Sequence, residues 1–78
     1  MTEPDQAVLL HALGARVHDR RLALGLSRQQ VADRAGLHFN YVGGIERGQR
    51  NVALINLARL AKALDYDSLG ELLNGLSL

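Results

Sequence analysis

Apolar residues recur along the chain at intervals of three or four, the spacing that places them on one face of an α-helix. No stretch alternates residue by residue between apolar and polar, as a half-buried β-strand would. The pattern therefore predicts an all-α fold, a compact bundle of five helices. The apolar faces are formed, in chain order, by Leu10, Leu13, Val17 and Leu24; Val31, Ala32 and Ala35; Val42 and Ile45; Leu54, Leu57, Ala58, Ala61 and Leu64; and Leu69, Leu72 and Leu73.

Residues 27–47 predict two short helices joined by a tight turn, with the second helix exposed. Ser27 and Gln30 form a capping box, since each side chain can bond a backbone N–H that the new helix leaves without a partner. Gly36 suits the left-handed position that ends this helix. The second helix begins near His38, and its outer face carries Phe39, Asn40, Gly43 and Gly44. A helix held in this way across a glycine turn suits insertion into the major groove of DNA.

Caps and glycines also indicate the ends of the outer helices. Thr2 can cap the first helix, with Pro4 in its first turn, where the missing N–H of proline costs nothing. Gly14 interrupts the apolar face of this helix, so we expect its regular part to begin near that residue, with residues 1–12 as a looser extension. Asn51 is the expected cap of the fourth helix.

The last predicted helix, residues 68–75, opens with a second capping box formed by Ser68 and Glu71. This helix and its tail carry more leucines than one small core can cover, which argues for a self-associating surface. The expected homodimer interface consists of Tyr66, Leu69, Leu72, Leu73 and Leu76. The alternative is that these leucines simply close the core of the monomer.

Length and composition favour a single domain. A chain of 78 residues buries only about 60% of its unfolded surface, and dimerisation is a common way to stabilise so small a core. The absence of cysteine excludes a disulfide framework and a thiolate metal site, which fits a cytoplasmic protein. The acidic start, MTEPDQ, does not look like a signal peptide, and no apolar run approaches the roughly 20 residues of a membrane span.

The net charge is only +1, but the positive charge is concentrated in one part of the chain. Residues 16–50 hold seven arginines against three acidic residues, whereas residues 1–15 and 51–78 are net negative. A positive region around the exposed helix is what contact with DNA phosphates requires. The alternative interpretation is an ordinary solvated arginine face.

The run RRLALGLSRQQVADRAGLHFNYVGGIERGQR, residues 20–50, resembles the phage-repressor type of helix-turn-helix, the family of Cro and its relatives. The shared residues are Arg21, Gly25-Leu26-Ser27, Val31-Ala32, Ala35-Gly36, Ile45-Glu46, Gly48 and the later run LARLAKAL at 57–64. The resemblance covers residues 13–73, the expected core of one domain over 1–78, and implies a lambda-repressor-like fold. Within the family, YVGGIERGQRN at 41–51 is most similar to the small, dimeric controller proteins of restriction–modification systems.

The resemblance implies a set of DNA-binding residues, and their chemistry suits that role. Asn40 can pair bidentately with adenine, and Phe39 can pack on a thymine methyl group. Arginines at the edges of the exposed helix suit phosphates, and Arg50 is also expected near the bases. The full predicted set is Arg28, Gln29, His38, Phe39, Asn40, Tyr41, Gly43, Arg47 and Arg50. Because few of these side chains read bases, DNA shape is expected to supply much of the specificity.

The resemblance also implies a partly buried ion pair between Arg21 and Glu46, which would tie the first helix to the exposed helix. A lone arginine on an apolar face would otherwise be expensive to bury. The alternative is that both residues are independent surface charges.

The predicted function is a transcriptional regulator that binds a palindromic operator as a homodimer and helps or blocks RNA polymerase. An enzyme is not expected, because there are three serines, no cysteine and three scattered histidines. No cofactor, metal or small-molecule ligand is expected either. The alternative function is a helix-turn-helix module for protein–protein contact, with a toxin or a sigma subunit as partner.

Overall fold

The computed structural model describes residues 3–78, which form five α-helices and no β-strand. The helices are α1 (Pro4–Ala23), α2 (Arg28–Ala35), α3 (Phe39–Glu46), α4 (Leu54–Ala63) and α5 (Leu69–Leu73). The predicted all-α, five-helix architecture is thereby confirmed. No helix in residues 3–78 combines the length and the apolar character needed to cross a membrane.

Helix α1 is continuous from Pro4, so the prediction of a looser extension before Gly14 is wrong. Gly14 is buried where α1 crosses the end of α3, and a Cβ atom there would lie 2.6 Å from the carbonyl oxygen of Glu46. The glycine therefore permits close packing of two helices instead of interrupting one. The proposed cap, Thr2, lies outside the described residues; Glu3 precedes the helix without a side-chain cap bond.

The helix-turn-helix forms as its local signals predict. The N–H of Gln30 donates to Oγ of Ser27 at 3.1 Å, and the N–H of Ser27 donates to Oε1 of Gln30 at 2.8 Å, which completes the capping box. Gly36 ends α2 at φ 68°, in the left-handed region that glycine adopts easily. His38 caps α3 by accepting a hydrogen bond at Nδ1 from the N–H of Asn40, at 3.0 Å.

Helix α4 begins later than predicted. Ala53 precedes its first turn with no side-chain cap, and Asn51 is exposed, so the prediction of an Asn51 cap is wrong. Residues 51–53 are not helical: Ala53 has an extended backbone, and the side chain of Val52 is buried in the core. Leu54 and Ala58, which were predicted to lie on the apolar face of α4, are exposed. The residues of α4 that do face the core are Leu57, Leu60, Ala61 and Ala63, and Leu64, which caps the end of the helix, is also buried.

Helix α5 closes the core with Leu72, which is completely buried within the single chain. Leu72 cannot present its side chain to a second chain, so its assignment to a dimer interface is wrong. Only half of the second capping box forms: Ser68 Oγ accepts from the N–H of Glu71, but the Glu71 carboxylate accepts from the N–H of Asp67. The largest completely buried side chains are Val17, Val31, Val42, Ile45, Leu60, Leu64 and Leu72.

Candidate DNA-binding surface

Helix α3 separates its residues into an inner and an outer side. Val42 and Ile45 are buried against the core, whereas Phe39 and Asn40 at its start are exposed, with 43% of Phe39 accessible. The opposed burial follows from the helical spacing, because residues three or four apart share a face. The start of α3 therefore points away from the protein with an amide and an aromatic ring accessible.

The end of α3 is held by a buried ion pair with α1. Arg21 Nε donates to Glu46 Oε2 at 2.7 Å, and Arg21 Nη2 donates to Glu46 Oε1 at 3.1 Å. Both side chains are almost inaccessible, at 7% and 3% exposure. Arg21 Nη1 also donates to the carbonyl oxygen of Leu26, at 2.9 Å, in the turn before α2. One guanidinium thus joins α1, the turn and α3, and bidentate geometry of this kind fixes orientation as well as distance.

Two further side chains reach the same carboxylate, and sequence analysis assigned neither of them to it. His18 Nδ1 lies 2.9 Å from Glu46 Oε1, and Arg28 Nε donates to the same oxygen at 3.2 Å. We call the residues His18, Arg21, Arg28 and Glu46 the Glu46 cluster. His18 lies one helical turn before Arg21, and this i, i+3 spacing was a signal that could have placed it beside the ion pair.

The charge state of Glu46 reflects this cluster. Burial alone would raise the pKa of its carboxyl group, but hydrogen bonds from Arg21, His18 and Arg28 and the charge of Arg21 outweigh burial and lower that pKa below 4.5. Glu46 is therefore ionised at neutral pH, which keeps the ion pair intact. Within residues 3–78, no buried side-chain nitrogen or oxygen lacks a hydrogen-bond partner.

The predicted DNA-binding residues at the start of α2 are exposed but already have partners. Arg28, with 45% of its side chain accessible, is bonded to Glu46. Gln29 Nε2 donates to Oδ1 of Asp33, at 2.9 Å, one turn later on the same helix. Both groups lie at the surface, where exposed hydrogen bonds of this kind are readily exchanged for new partners.

Arginines flank the other end of α3. Arg47 is exposed, and its Nε donates to Oε1 of Gln49 at 3.2 Å. Arg50 is also exposed, with its guanidinium carbon 5.7 Å from the centre of the Tyr41 ring. Tyr41 is half-buried, and its hydroxyl oxygen accepts from Asn56 Nδ2 at 3.5 Å, so this tyrosine packs between Arg50 and α4.

The burial of Gly43 and Gly44 differs from what the sequence predicted. Both were expected on the exposed face, and Gly43 was expected to contact DNA, but both are buried. The physical reason is that the side chains of Arg47 and Arg50 lie across them. Direct contact between Gly43 and DNA is therefore blocked in this arrangement, and the prediction for this residue is wrong as it stands.

A sequence profile described as helix-turn-helix matches residues 17–70, most of the chain. The chain belongs to the helix-turn-helix family. This helix-turn-helix protein is 45% identical to the control protein C.SmaI of Serratia marcescens over 53 residues, which cover 68% of this chain and 63% of that protein. It is 40% identical to the control protein C.BamHI of Bacillus amyloliquefaciens over 52 residues, which cover 65% and 64% of the two chains. The helix-turn-helix protein thus spans just under two thirds of the length of these curated relatives.

Solved structures give the same assignment. The helix-turn-helix protein superposes on the restriction-modification controller protein C.AhdI from Aeromonas hydrophila with a TM-score of 0.77 and 49% identity, covering 81% of this chain and 94% of that one. The controller protein C.Esp1396I superposes with a TM-score of 0.75 at 28% identity. The predicted resemblance to controller proteins is confirmed, and these relatives are regulators, not enzymes, as the sequence also predicted.

Proposed function

We propose that this helix-turn-helix protein is a sequence-specific DNA-binding transcriptional regulator, a controller of a restriction–modification system, that binds a palindromic operator as a homodimer. One observation carries the proposal. The start of α3 projects Phe39 and Asn40 outward, while Arg28, Arg47 and Arg50 are exposed around the same helix. A rigid helix with an amide at its tip and cations at its edges matches the major groove and the phosphates on either side of it.

The side-chain chemistry of each exposed residue suits a particular contact with DNA. Asn40 reads adenine at N6 and N7, and Phe39 contacts a thymine methyl group. Arg47 contacts phosphate, and Arg50, which follows α3, reaches both phosphate and base edges. Arg28 exchanges its bond with Glu46 for a phosphate oxygen, since Glu46 retains Arg21 and His18 as partners. Gln29 and His38 support the same backbone contacts.

The homodimer forms through an apolar region that one chain leaves partly open. Leu54 and Ile55 at the start of α4 are 65% and 64% exposed. One turn later on α4, Leu57 lines an apolar recess together with Leu73 and Leu76. We call the region formed by these five residues the α4–α5 surface. Tyr66 lines a neighbouring recess with Leu76, and the guanidinium carbon of Arg20 lies 4.6 Å from the centre of its ring. Tyr66 and Leu69 complete the proposed interface. Large exposed apolar side chains beside half-buried leucines are typical of a self-association site. A two-fold dimer of this kind places two α3 helices about one turn of DNA apart, ~34 Å.

Regulation follows from occupancy. A dimer bound at a promoter in the cytoplasm either recruits RNA polymerase or excludes it, depending on where the operator lies relative to the promoter. The control and controller proteins matched above support this proposal by their sequence and structure.

The test begins with selection of bound duplexes from a random DNA library, followed by fluorescence anisotropy on the selected operator. The affinity should fall steeply with salt, with a logarithmic slope of about −0.9 for each phosphate contacted. Arg50→Ala should weaken binding about tenfold to a hundredfold, because a charge-assisted contact to base or phosphate is lost. Arg59→Ala removes an equal charge from an exposed position on α4 and should leave affinity nearly unchanged.

Two results would contradict the proposal. If selection returns no common sequence, specific binding is absent. Equal losses in Arg50→Ala and Arg59→Ala would show that binding is nonspecific charge attraction. A partner protein bound without salt dependence at α3 would instead favour the protein–protein module.

A further inference from the structure

Two consecutive glycines, Gly43 and Gly44, lie in the middle of α3, where the backbone does not require them. The glycines with positive φ are Gly25, Gly36, Gly48 and Gly75, so neither residue of the pair adopts the left-handed conformation. A glycine inside a helix stabilises the helix less than alanine does. In a domain of this size, the difference lowers Tm by about 4 °C or more for each glycine. Helix α3 has only eight residues, so the two glycines call for another explanation.

An arginine side chain occupies the space that a methyl group would take at each position. A Cβ atom on Gly43 would lie 3.0 Å from Nη1 of Arg47. A Cβ atom on Gly44 would lie 3.1 Å from Cγ and 3.2 Å from Nε of Arg50. At Gly14, by contrast, the obstacle is backbone carbonyl oxygen. The glycine pair of α3 is therefore fitted to two flexible side chains of its own chain and not to a neighbouring helix.

The two arginines are also held at a second point. Arg47 is bonded through Nε to the side chain of Gln49, and the guanidinium of Arg50 lies over the Tyr41 ring. Both arginines are nevertheless exposed. Their side chains thus run along the surface of α3 instead of extending from it into solvent.

We propose that Gly43 and Gly44 are positioning residues that form a seat for the side chains of Arg47 and Arg50. The inference rests on the proposed DNA binding, and it explains why the side chains of Arg47 and Arg50 lie along the surface of α3. Gly43 and Gly44 follow Asn40 by three and four residues and lie on the same side of α3. Arg47 and Arg50, which lie across them, therefore cover the part of this side that follows Asn40. A helix with side chains is about 10–12 Å across and the major groove about 12 Å wide, so arginines that lie flat allow α3 to enter. Side chains that are already ordered also lose less entropy on binding.

The free protein provides the first test. In NMR spectra, Gly44→Ala should shift the side-chain resonances of Arg50, which lose the ring current of Tyr41, and Gly43→Ala should shift those of Arg47. Gly70→Ala is the matched control, because a Cβ atom there meets only Ser68 Oγ at 3.7 Å, and it should leave both arginines unchanged. Unchanged Arg50 resonances in Gly44→Ala would overturn the seat. This measurement needs no DNA, so its outcome is independent of the proposed function.

Operator binding provides the second test, measured at low salt so that weakened variants remain detectable. Gly44→Ala should weaken binding about tenfold, which corresponds to one displaced contact, although it should raise Tm by about 4 °C. In the Arg50→Ala background, Gly44→Ala should change affinity by less than about twofold, because the seat then has no occupant. A full tenfold loss in that background would show that the methyl group collides with DNA itself, and the proposal that Gly44 positions Arg50 would be wrong. If the wild-type protein binds no duplex, the proposed function is wrong. The NMR test of Gly43→Ala and Gly44→Ala would still show whether the two glycines position Arg47 and Arg50.

Discussion

The Glu46 cluster and the α4–α5 surface differ in how completely one chain satisfies them. In the cluster, a carboxylate with 3% exposure has three cationic or hydrogen-bonding partners drawn from α1 and α2. On the α4–α5 surface, the side chains of Leu54 and Ile55 remain 65% and 64% exposed. A buried polar network is stable only when every member is paired, whereas an exposed apolar surface gains stability when a partner covers it.

The contrast separates two properties of the proposed regulator. The orientation of α3 on the protein is fixed within the monomer, by the Glu46 cluster and by the close approach of α1 at Gly14. In the proposed dimer, the α4–α5 surface sets the distance between the two α3 helices, and protein concentration sets the fraction of chains that are dimeric. Variants in the first region should change the free energy of unfolding at any concentration, and variants in the second should change association.

The largest effect on unfolding is expected for Arg21→Ala. The substitution leaves Glu46 buried with only its two weaker partners, His18 and Arg28, so the free energy of unfolding should fall by about 3 kcal/mol. Chemical denaturation monitored by circular dichroism measures the change. Arg59→Ala, at an exposed position on α4, is the control and should change stability by less than about 0.5 kcal/mol. Arg21→Lys should recover only part of the loss, since lysine cannot make the bidentate contact. A loss for Arg21→Ala as small as that of the control would show that the pair does not tie α1 to α3.

Gly14→Ala should have the next largest effect. A methyl group on α1 would meet the carbonyl oxygens of Ile45 and Glu46, and backbone cannot move aside as a side chain can. Overpacking of this kind should lower the free energy of unfolding by about 2 kcal/mol, despite the better helix propensity of alanine. Gly70→Ala introduces the same methyl group where only Ser68 Oγ is near, at 3.7 Å, and should be neutral or slightly stabilising. Equal thermal unfolding of the two variants would contradict the close approach.

Acid should weaken the Glu46 cluster to a smaller extent. The pKa of Glu46 is lower in the folded protein than its ordinary value of 4.5, so its contribution to stability is complete above pH 4.5 and is lost as pH falls through the lower folded value. The free energy of unfolding should therefore decline below pH 4.5, and Glu46→Gln should lack this part of the decline. Glu3→Gln, which alters a carboxylate without a cap bond, should retain it. Identical pH profiles for wild type and Glu46→Gln would exclude the cluster as the source.

Local signals predicted the helix-turn-helix well because they act between neighbours in the chain. The bonds of Ser27 with Gln30 and the left-handed turn at Gly36 need no information from elsewhere. The wrong predictions concern residues whose role depends on contacts with distant parts of the chain. Gly14 is indistinguishable in sequence from a helix interruption, yet the crossing of α3 over α1 determines its role. Asn51 has the chemistry of a cap, but α4 begins three residues later, after a non-helical segment in which Val52 packs into the core.

The candidate site shows the same division. The outward placement of Phe39 and Asn40 followed from helical spacing, because the opposite face is apolar. The contact of Arg28 with Glu46 joins residues 18 apart in sequence, and no periodicity reports it. The covering of Gly43 by Arg47 depends on how a flexible side chain folds back, which a pattern of residue types does not encode.

The smallest effect on the monomer, and the clearest on assembly, is expected for the double substitution Leu54→Ser and Ile55→Ser. Both side chains are already exposed in one chain, so unfolding measured at a concentration below that of the dimer should change by less than about 0.5 kcal/mol. Burying one leucine in an interface contributes roughly 1.5–3 kcal/mol, so the dimer dissociation constant should rise at least about tenfold, as sedimentation equilibrium would show. Leu22→Ser, on α1 at 55% exposure, is the matched control and should leave association unchanged. If both variants associate like the wild type, the dimer does not use Leu54 and Ile55. If both lose association equally, exposed leucines act without specificity, and the contrast between a completed polar cluster and an open apolar surface would not explain assembly.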